Sequence, residues 1–543
     1  MATDVLIIYP PEDYPAHSFH KEFQLNIGGV PLGALYIASH LRSNGIQAEV
    51  YDARVDFDLS TLKDHQPDQP VRLGASDETI IQTIKSHQPK IVGVSNLFLT
   101  RVDEAYHVCD LVKSIDPKIL TVMGGASCSI LKTDIFNACQ TVDVVVLGEG
   151  EEIFLELCRN HLEGNPFSHL DSIAWRESGQ IQFNNLVPAA VQDLDTLADP
   201  DYSLVDMDRY FRLMDMNLLT RLSWCGNQMR RAVSVVTTRG CPYSCIFCTR
   251  RQHNSRRWRA ESVDRLVNRI RTLKEKYDIT HFYIEDDASN VNPGRFETFL
   301  DRLIQADLGV TWSTPNGIRG EGLTEAMVKK CVQAGCISLQ VGVESGDQQI
   351  LRNVVKKKLD LREVEEGIRN CHHQNLDVGA FFIIGFPGET KSNIFRSIRF
   401  MLKLSRKYAC RIHLAVAIPM PGTELYDIVV KNGYLKSVSP GWSIRNLLTG
   451  TPKTDEKQWV IETPDFSHGF LNRWAAIASM TAFAMIAIRS CLFIFTNRCG
   501  MKMAWRLLFN QAGGWGKRVK VFLFRFLIFP KMIKKCGAAD LER

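Results

Sequence analysis

Thr238-Arg239-Gly240-Cys241-Pro242-Tyr243-Ser244-Cys245-Ile246-Phe247-Cys248 is the stretch on which the reading of this chain turns. It places three thiols in a C-x₃-C-x₂-C pattern within one loop. A cubane iron–sulfur cluster takes one cysteine thiolate per iron. Three neighbouring thiolates with no local fourth leave one iron open, and an open iron can bind a small molecule and pass it an electron. Two other chemistries use close cysteines. A zinc site needs a fourth ligand, and His253 is the nearest candidate. A disulfide framework suits a short secreted chain, not 543 residues with an odd count of 15 cysteines.

Outward from the loop, apolar runs alternate with helical spacings. Residues 233–237 read as a strand entering the loop, and 261–277 as a helix with Val263, Leu266, Val267 and Ile270 on one face. Further strands are expected at 281–285, 310–313, 337–343, 378–385 and 412–418, with helices at 323–334 and 361–372. This alternation predicts a parallel sheet curled into an incomplete barrel. Asp286-Asp287, Glu344-Ser345-Gly346 and Phe386-Pro387-Gly388-Glu389 follow strands, where such barrels place their sites. The plainer alternatives are helix capping for the aspartates and a tight turn for 385–389.

With these residues the chain resembles the radical S-adenosylmethionine (SAM) superfamily over about residues 230–430. The resemblance implies that Cys241, Cys245 and Cys248 hold a 4Fe–4S cluster whose fourth iron is chelated by the amino and carboxylate groups of SAM. Reduction then cleaves SAM to methionine and a 5′-deoxyadenosyl radical, with an external one-electron reductant of the flavodoxin or ferredoxin type. It places Phe247 along the adenine, Asp286 and Asp287 at the strand end that contacts the SAM amino group, and Glu344 against the ribose or carboxylate.

The first 160 residues carry a second alternation. Strands are expected at 5–9, 48–51, 91–94, 120–123 and 142–147, and helices at 32–44, 78–87, 102–115 and 150–160. This predicts a doubly wound, Rossmann-like parallel sheet with ligand loops at the strand ends. No G-x-G-x-x-G follows the first strand, so a dinucleotide is a weak expectation. Glycine pairs after two strands let a large flat ligand approach the backbone. Gly28-Gly29-Val30-Pro31-Leu32-Gly33, Met123-Gly124-Gly125-Ala126 and Leu147-Gly148-Glu149-Gly150-Glu151-Glu152 resemble the recurring segments of the cobalamin-binding domain that precedes the radical SAM barrel in a large subfamily. That resemblance puts Ser95, Gly124, Gly125, Gly148 and Glu149 near the corrin or its nucleotide tail. The D-x-H-x-x-G motif, whose histidine ligates cobalt in methionine-synthase-like domains, is absent, so cobalamin is expected without a protein histidine on cobalt.

The layout expected is a cobalamin-binding domain at 1–160, a linker at 161–230, the partial barrel at 231–430 and a helical, apolar and basic region at 431–543. The linker includes a small hairpin about Ser178-Gly179. No signal peptide is read, because residues 1–10 already form a strand. A reducing cytoplasm suits the free thiols and the cluster. A net charge of +5 gives no reason to expect nucleic acid. Residues 474–488 are uncharged, and 519–530 are rich in Phe and Leu among Lys517, Arg518, Lys520, Arg525, Lys531, Lys534 and Lys535. This tail reads either as peripheral membrane contact or as a soluble helical cap, ahead of a true span.

Two function classes follow. The first is a cobalamin-dependent radical SAM methyltransferase acting on an unactivated carbon, or phosphorus, of a small-molecule or lipid-like substrate. Cyclisation or rearrangement is the alternative within that architecture. The second is an RNA methylthiotransferase, which would need a second cysteine triad in the N-terminal half. Cys109, Cys128, Cys139 and Cys158 are scattered along the sequence there.

Overall fold

The computed structural model describes residues 3–14, 29–57, 71–216, 231–253, 256–438 and 458–496. Gly28, residues 217–230 and the basic tail of residues 517–535 lie outside them, and so does the His253 side chain.

The apolar runs of the first half become one seven-stranded sheet. Five parallel strands, β1 (Val5–Tyr9), β2 (Ala48–Asp52), β3 (Ile91–Ser95), β4 (Leu120–Gly124) and β5 (Val144–Val146), lie in the order β2-β1-β3-β4-β5. Val5, Leu6, Ile7 and Ile8 are all buried, as befits a strand covered on both faces. The covering helices include α1 (Leu32–Ser43), α2 (Asp77–His87), α3 (Val102–Ile115), the short α4 (Ala126–Leu131) and α5 (Glu151–Glu163). The strand order reverses between β1 and β3, which is where doubly wound sheets open a ligand crevice. The hairpin expected in the linker belongs instead to this sheet. Its strands β6 (Ile173–Glu177) and β7 (Gln180–Phe183) extend the β5 edge in antiparallel fashion. The open edge of β5 supplies unpaired N–H and C=O groups that the hairpin satisfies.

After the connector helix α6 (Met207–Met216), six parallel strands follow in sequential order: β8 (Ala232–Val235), β9 (His281–Ile284), β10 (Thr311–Ile318), β11 (Cys336–Glu344), β12 (Asp377–Ile384) and β13 (Arg411–Val416). This is the incomplete barrel. Helices α7 (Val263–Tyr277), α8 (Pro293–Ala306), α9 (Glu325–Gln333), α10 (Leu361–His373) and α11 (Lys391–Tyr408) pack outside it. Phe282 and Ile284 of β9 join that outer core, so Tyr283 and the following Glu285 face inward by strand alternation. Tyr202 in the connector is buried in the same core, and its hydroxyl donates to the Ser234 carbonyl at 3.1 Å.

The C-terminal region is not wholly helical. Leu435–Val438 and Gln458–Ile461 form an antiparallel pair, favoured by Val460 and Ile461, before the long helix α13 (His468–Thr496) that follows the barrel's last helix α12 (Glu424–Lys431). Leu471, Ala478, Ala482 and Ile486 of α13 are buried, and Trp474 meets Phe395 of α11 edge-on at 4.8 Å. Ile477, Met480 and Phe483 are exposed on its other side. Among the described residues, no helix is long and apolar enough to cross a membrane.

Candidate functional site

The C-terminal ends of both sheets open onto one cavity of about 840 Å³. Ser95, Gly124, Gly125, Gly148 and Glu149 all line it, but they do different work. At Gly124 a Cβ would meet nothing within 4 Å, so this residue faces open space. Gly125 (φ +113°) and Gly148 (φ +85°) are glycines for another reason. A Cβ would stand 2.5 Å from the Asn96 carbonyl oxygen at the first and 2.3 Å from that of Ala189 at the second. Backbone crossing demands them, whatever ligand is bound.

Ser127, absent from the sequence-based set, adds a hydroxyl that lines the cavity, is 1% exposed and has no partner among the described residues. Leu97 and Phe98 add apolar surface left 48% and 55% exposed. An open glycine, an orphaned hydroxyl and uncovered apolar walls fit a broad ligand with amide side chains, as a corrin is. Among the described residues no histidine lines the cavity.

Glu149 turns inward from the cavity. Arg259 grips its carboxylate with two nitrogens at 2.6 and 2.9 Å, and the Val191 N–H donates to it at 2.9 Å. Glu151 accepts from Arg239 at 2.7 Å. Arg239 and Arg259 face each other across a two-stranded ribbon, Thr238–Arg239 against Arg259–Ala260. The loop after β5 is thus clamped by buried ion pairs to the segment that enters the cysteine loop. Arg239 and Arg259 are the residues sequence reading missed. A basic residue in a loop carries no signal of the acid it will meet about a hundred residues away in the chain.

The cysteine loop is pinned at Ile246, whose N–H donates to the Val355 carbonyl at 3.2 Å and whose carbonyl accepts from Leu425 at 2.9 Å. Cys241, Cys245 and Cys248 are unpaired and partly exposed. Burial pushes the Cys245 thiol up to about 11, with Lys357 opposing and Glu344, Cys248 and Cys241 adding to it. Thiols held protonated in this way become thiolates when a cation binds them. Among the described residues no three ligand side chains converge on a single metal ion. A cubane asks for something else, one thiolate at each of three irons, and this loop offers that donor set.

Phe247 packs tilted on Phe386, with ring centroids 5.8 Å apart. The 385–389 segment is a tight turn closed by its own acid: Glu389 accepts from the N–H groups of Gly385 and Phe386 at 2.7 and 2.8 Å. The two aspartates divide. Asp286 is buried and accepts from both the N–H and the hydroxyl of Thr237 and of Thr238, at 2.6–3.1 Å. Its oxygens hold the exit of β8. Asp287 lines the cavity, paired with Arg250. Glu344 sits in a left-handed conformation (φ +71°) near Cys245 and accepts from Lys357 at 2.9 Å.

The buried cysteines of the first half also find each other. Cys109, Cys128 and Cys139 are close enough to interact, yet burial holds the Cys109 and Cys128 thiols well above their ordinary range, and all three are in the hydrophobic core. They pack as small apolar residues.

Comparison with known proteins agrees with this geometry. The radical SAM superfamily matches at residues 235–401, and the B12-binding domain at residues 28–158. An uncharacterised methyltransferase of Pyrococcus horikoshii is 28% identical over 435 residues, covering 80% of this chain and 85% of the relative. Cytidylyl-2-hydroxyethylphosphonate methyltransferase of Streptomyces wedmorensis is 27% identical over 438 residues, covering 75% and 78%. The fold is shared with the radical SAM methyltransferase TsrM of Kitasatospora setae, solved with cobalamin and its 4Fe–4S cluster, at a TM-score of 0.64 and 15% identity, with 89% of each chain covered. The chain belongs to the radical SAM superfamily, among the members that carry a B12-binding domain. It is an enzyme whose cofactors are a 4Fe–4S cluster, SAM and cobalamin.

Proposed function

We propose that this chain is a methyltransferase that places a methyl group on an unactivated carbon, or on phosphorus, of a small molecule. The observation that supports this is the cavity lined by the strand ends of both sheets, since a methyl donor and its acceptor must meet in one enclosure. When bound, the cluster supplies the electron that cleaves SAM, and cobalamin carries the methyl group. In this reading Cys241, Cys245 and Cys248 hold the cluster, and Phe247, braced by Phe386, lies along the adenine. Glu344 and Asp287 face the polar end of SAM, with Lys357 and Arg250 fixing their orientation. Ser95, Gly124 and Ser127 form the floor under the corrin. Glu149 positions rather than binds, since its carboxylate is committed to Arg259. An external one-electron reductant of the flavodoxin or ferredoxin type serves the cluster, in the cytoplasm.

For α13 we propose a cap on the barrel whose exposed Ile477, Met480 and Phe483 touch a bilayer together with the basic tail.

The test is product analysis on the anaerobically reconstituted, reduced protein with cobalamin and SAM. Methyl transfer gives both S-adenosylhomocysteine and 5′-deoxyadenosine. Cyclisation or rearrangement needs no methyl group, so 5′-deoxyadenosine without S-adenosylhomocysteine would overturn the proposal.

A further inference from the structure

The charged side chains that line the cavity come in pairs, with one exception. Glu12 pairs with Arg101, Arg54 with Asp52, Glu149 with Arg259, Glu151 with Arg239 and Asp287 with Arg250. Glu285 lines the same cavity. Among the described residues no cation stands within ion-pair distance of it, although Arg250, paired with Asp287, acts on it from farther away. Its hydrogen-bond partners are neutral. The Ser234 hydroxyl donates to its carboxylate at 3.2 Å, and the Asn316 amide donates to its backbone carbonyl at 2.9 Å. Desolvation raises its carboxyl above the usual range, with Ser234, Arg250 and the Asn316 side chain opposing and Asp286 adding to it.

A carboxylate taken from water without a counter-ion is costly, and a cation delivered to it relieves that cost. The protein has paired the other charges that line the cavity and left this carboxylate without an ion pair, at the end of β9. We propose that Glu285 receives a protonated amine of the substrate, on the reading above that this cavity admits the methyl acceptor. Ser234 and Asn316 stand beside it to accept the remaining N–H groups, since a hydroxyl and an amide oxygen both accept. The ammonium of SAM offers the same chemistry. The carboxylates assigned above to the polar end of SAM are Asp287, paired with Arg250, and Glu344, near Cys245. Glu285 instead lines the cavity onto which Ser95 and Gly124 also open, and Glu344 is not part of that lining.

The experiment uses the reconstituted holoprotein with SAM, and two probes of like shape: n-hexylamine, cationic at neutral pH, and hexan-1-ol. Calorimetric titration of wild type and Glu285→Gln is expected to show hexylamine binding weakened about tenfold or more, with hexanol within about twofold. The KM for SAM in substrate-free cleavage to 5′-deoxyadenosine should stay within about twofold. No measurable hexylamine binding to wild type, or equal binding to the variant, overturns the proposal. So does an equal loss of both probes, which would mean packing, or a KM for SAM raised about tenfold, which would give the carboxylate to SAM. Failure of the methyl-transfer reading shows separately, as missing S-adenosylhomocysteine from wild type with no probe added.

Discussion

At the rim of the first sheet, the groups that reach the cavity are mostly glycine backbone, hydroxyl and apolar surface. At the rim of the barrel they include the charged Arg239, Arg250, Glu285 and Asp287, and most of that charge is engaged within the protein. Asp287 is held by Arg250 and Arg239 by Glu151, and behind the cavity's lining Asp286 is held by two threonines, Glu344 by Lys357 and Glu389 by its own turn. The first rim is shaped to be covered by a broad ligand. The second is braced so that a loop of thiols keeps its place. The contrast teaches that position at a strand end locates a site, whereas the partners of a side chain decide whether it can serve a ligand.

The largest effect expected from breaking this contrast is at the thiols. Changing Cys241, Cys245 or Cys248 to Ala should abolish the iron–sulfur absorbance and drop 5′-deoxyadenosine formation to background, while cobalamin binding stays within about twofold. Loss of cobalamin binding as well would mean that the rims are not separately built.

The clamp between the rims comes next. Arg259→Met strips Glu149 of its bidentate partner and leaves a buried charge, at a cost of about 3–5 kcal/mol in urea denaturation. The double change with Glu149→Met should recover much of it. A loss below about 1 kcal/mol would show that the ion pairs do not hold the two halves together.

Glu389 sharpens the account of the barrel rim through pH. Desolvation raises its carboxyl to about 7 from 4.5, opposed by the Phe386 and Gly385 N–H groups. The native state therefore keeps a proton that the unfolded chain gives up. The stability this contributes is full below about pH 4.5 and is lost as pH rises to about 7. The span corresponds to about 3 kcal/mol. Glu389→Gln should gain on wild type in melting temperature across that window. Parallel curves would contradict the burial argument.

The smallest effect is at the edge of the barrel. A chain ending after Thr496, and separately Phe483→Ser, should float less with anionic liposomes than the full chain, more clearly at low salt. Equal flotation would leave α13 as a cap alone.

The sequence made the strands legible because apolar runs buried on both faces leave little ambiguity. β10 was harder. The strand expected at 310–313 runs on through Pro315 and Gly317 to Ile318, with register shifts against β11 along that stretch. Helices α8 and α11 escape the strand-by-strand reading although both are signalled. Asn292 caps Arg295 ahead of Pro293, and Thr390 and Asn393 form a capping box. The cysteine loop and the glycine-rich loops were legible as motifs. What was not legible was which acids are free. Glu149 and Asp286 carry the same local signal as site residues, and only long-range pairing separates them from Glu285.

The central claim is that the cavity between the rims holds cobalamin over Gly124 with no protein histidine on cobalt. Spin-resonance spectra of the reconstituted Co(II) form test it most directly, recorded on wild type and on Gly124→Phe, whose ring would enter space that is open in this structure. The account predicts one bound cobalamin in wild type, no nitrogen splitting from a protein imidazole, and binding weakened about tenfold or more in the folded variant. Imidazole splitting in wild type, or unchanged binding in the variant, would contradict it.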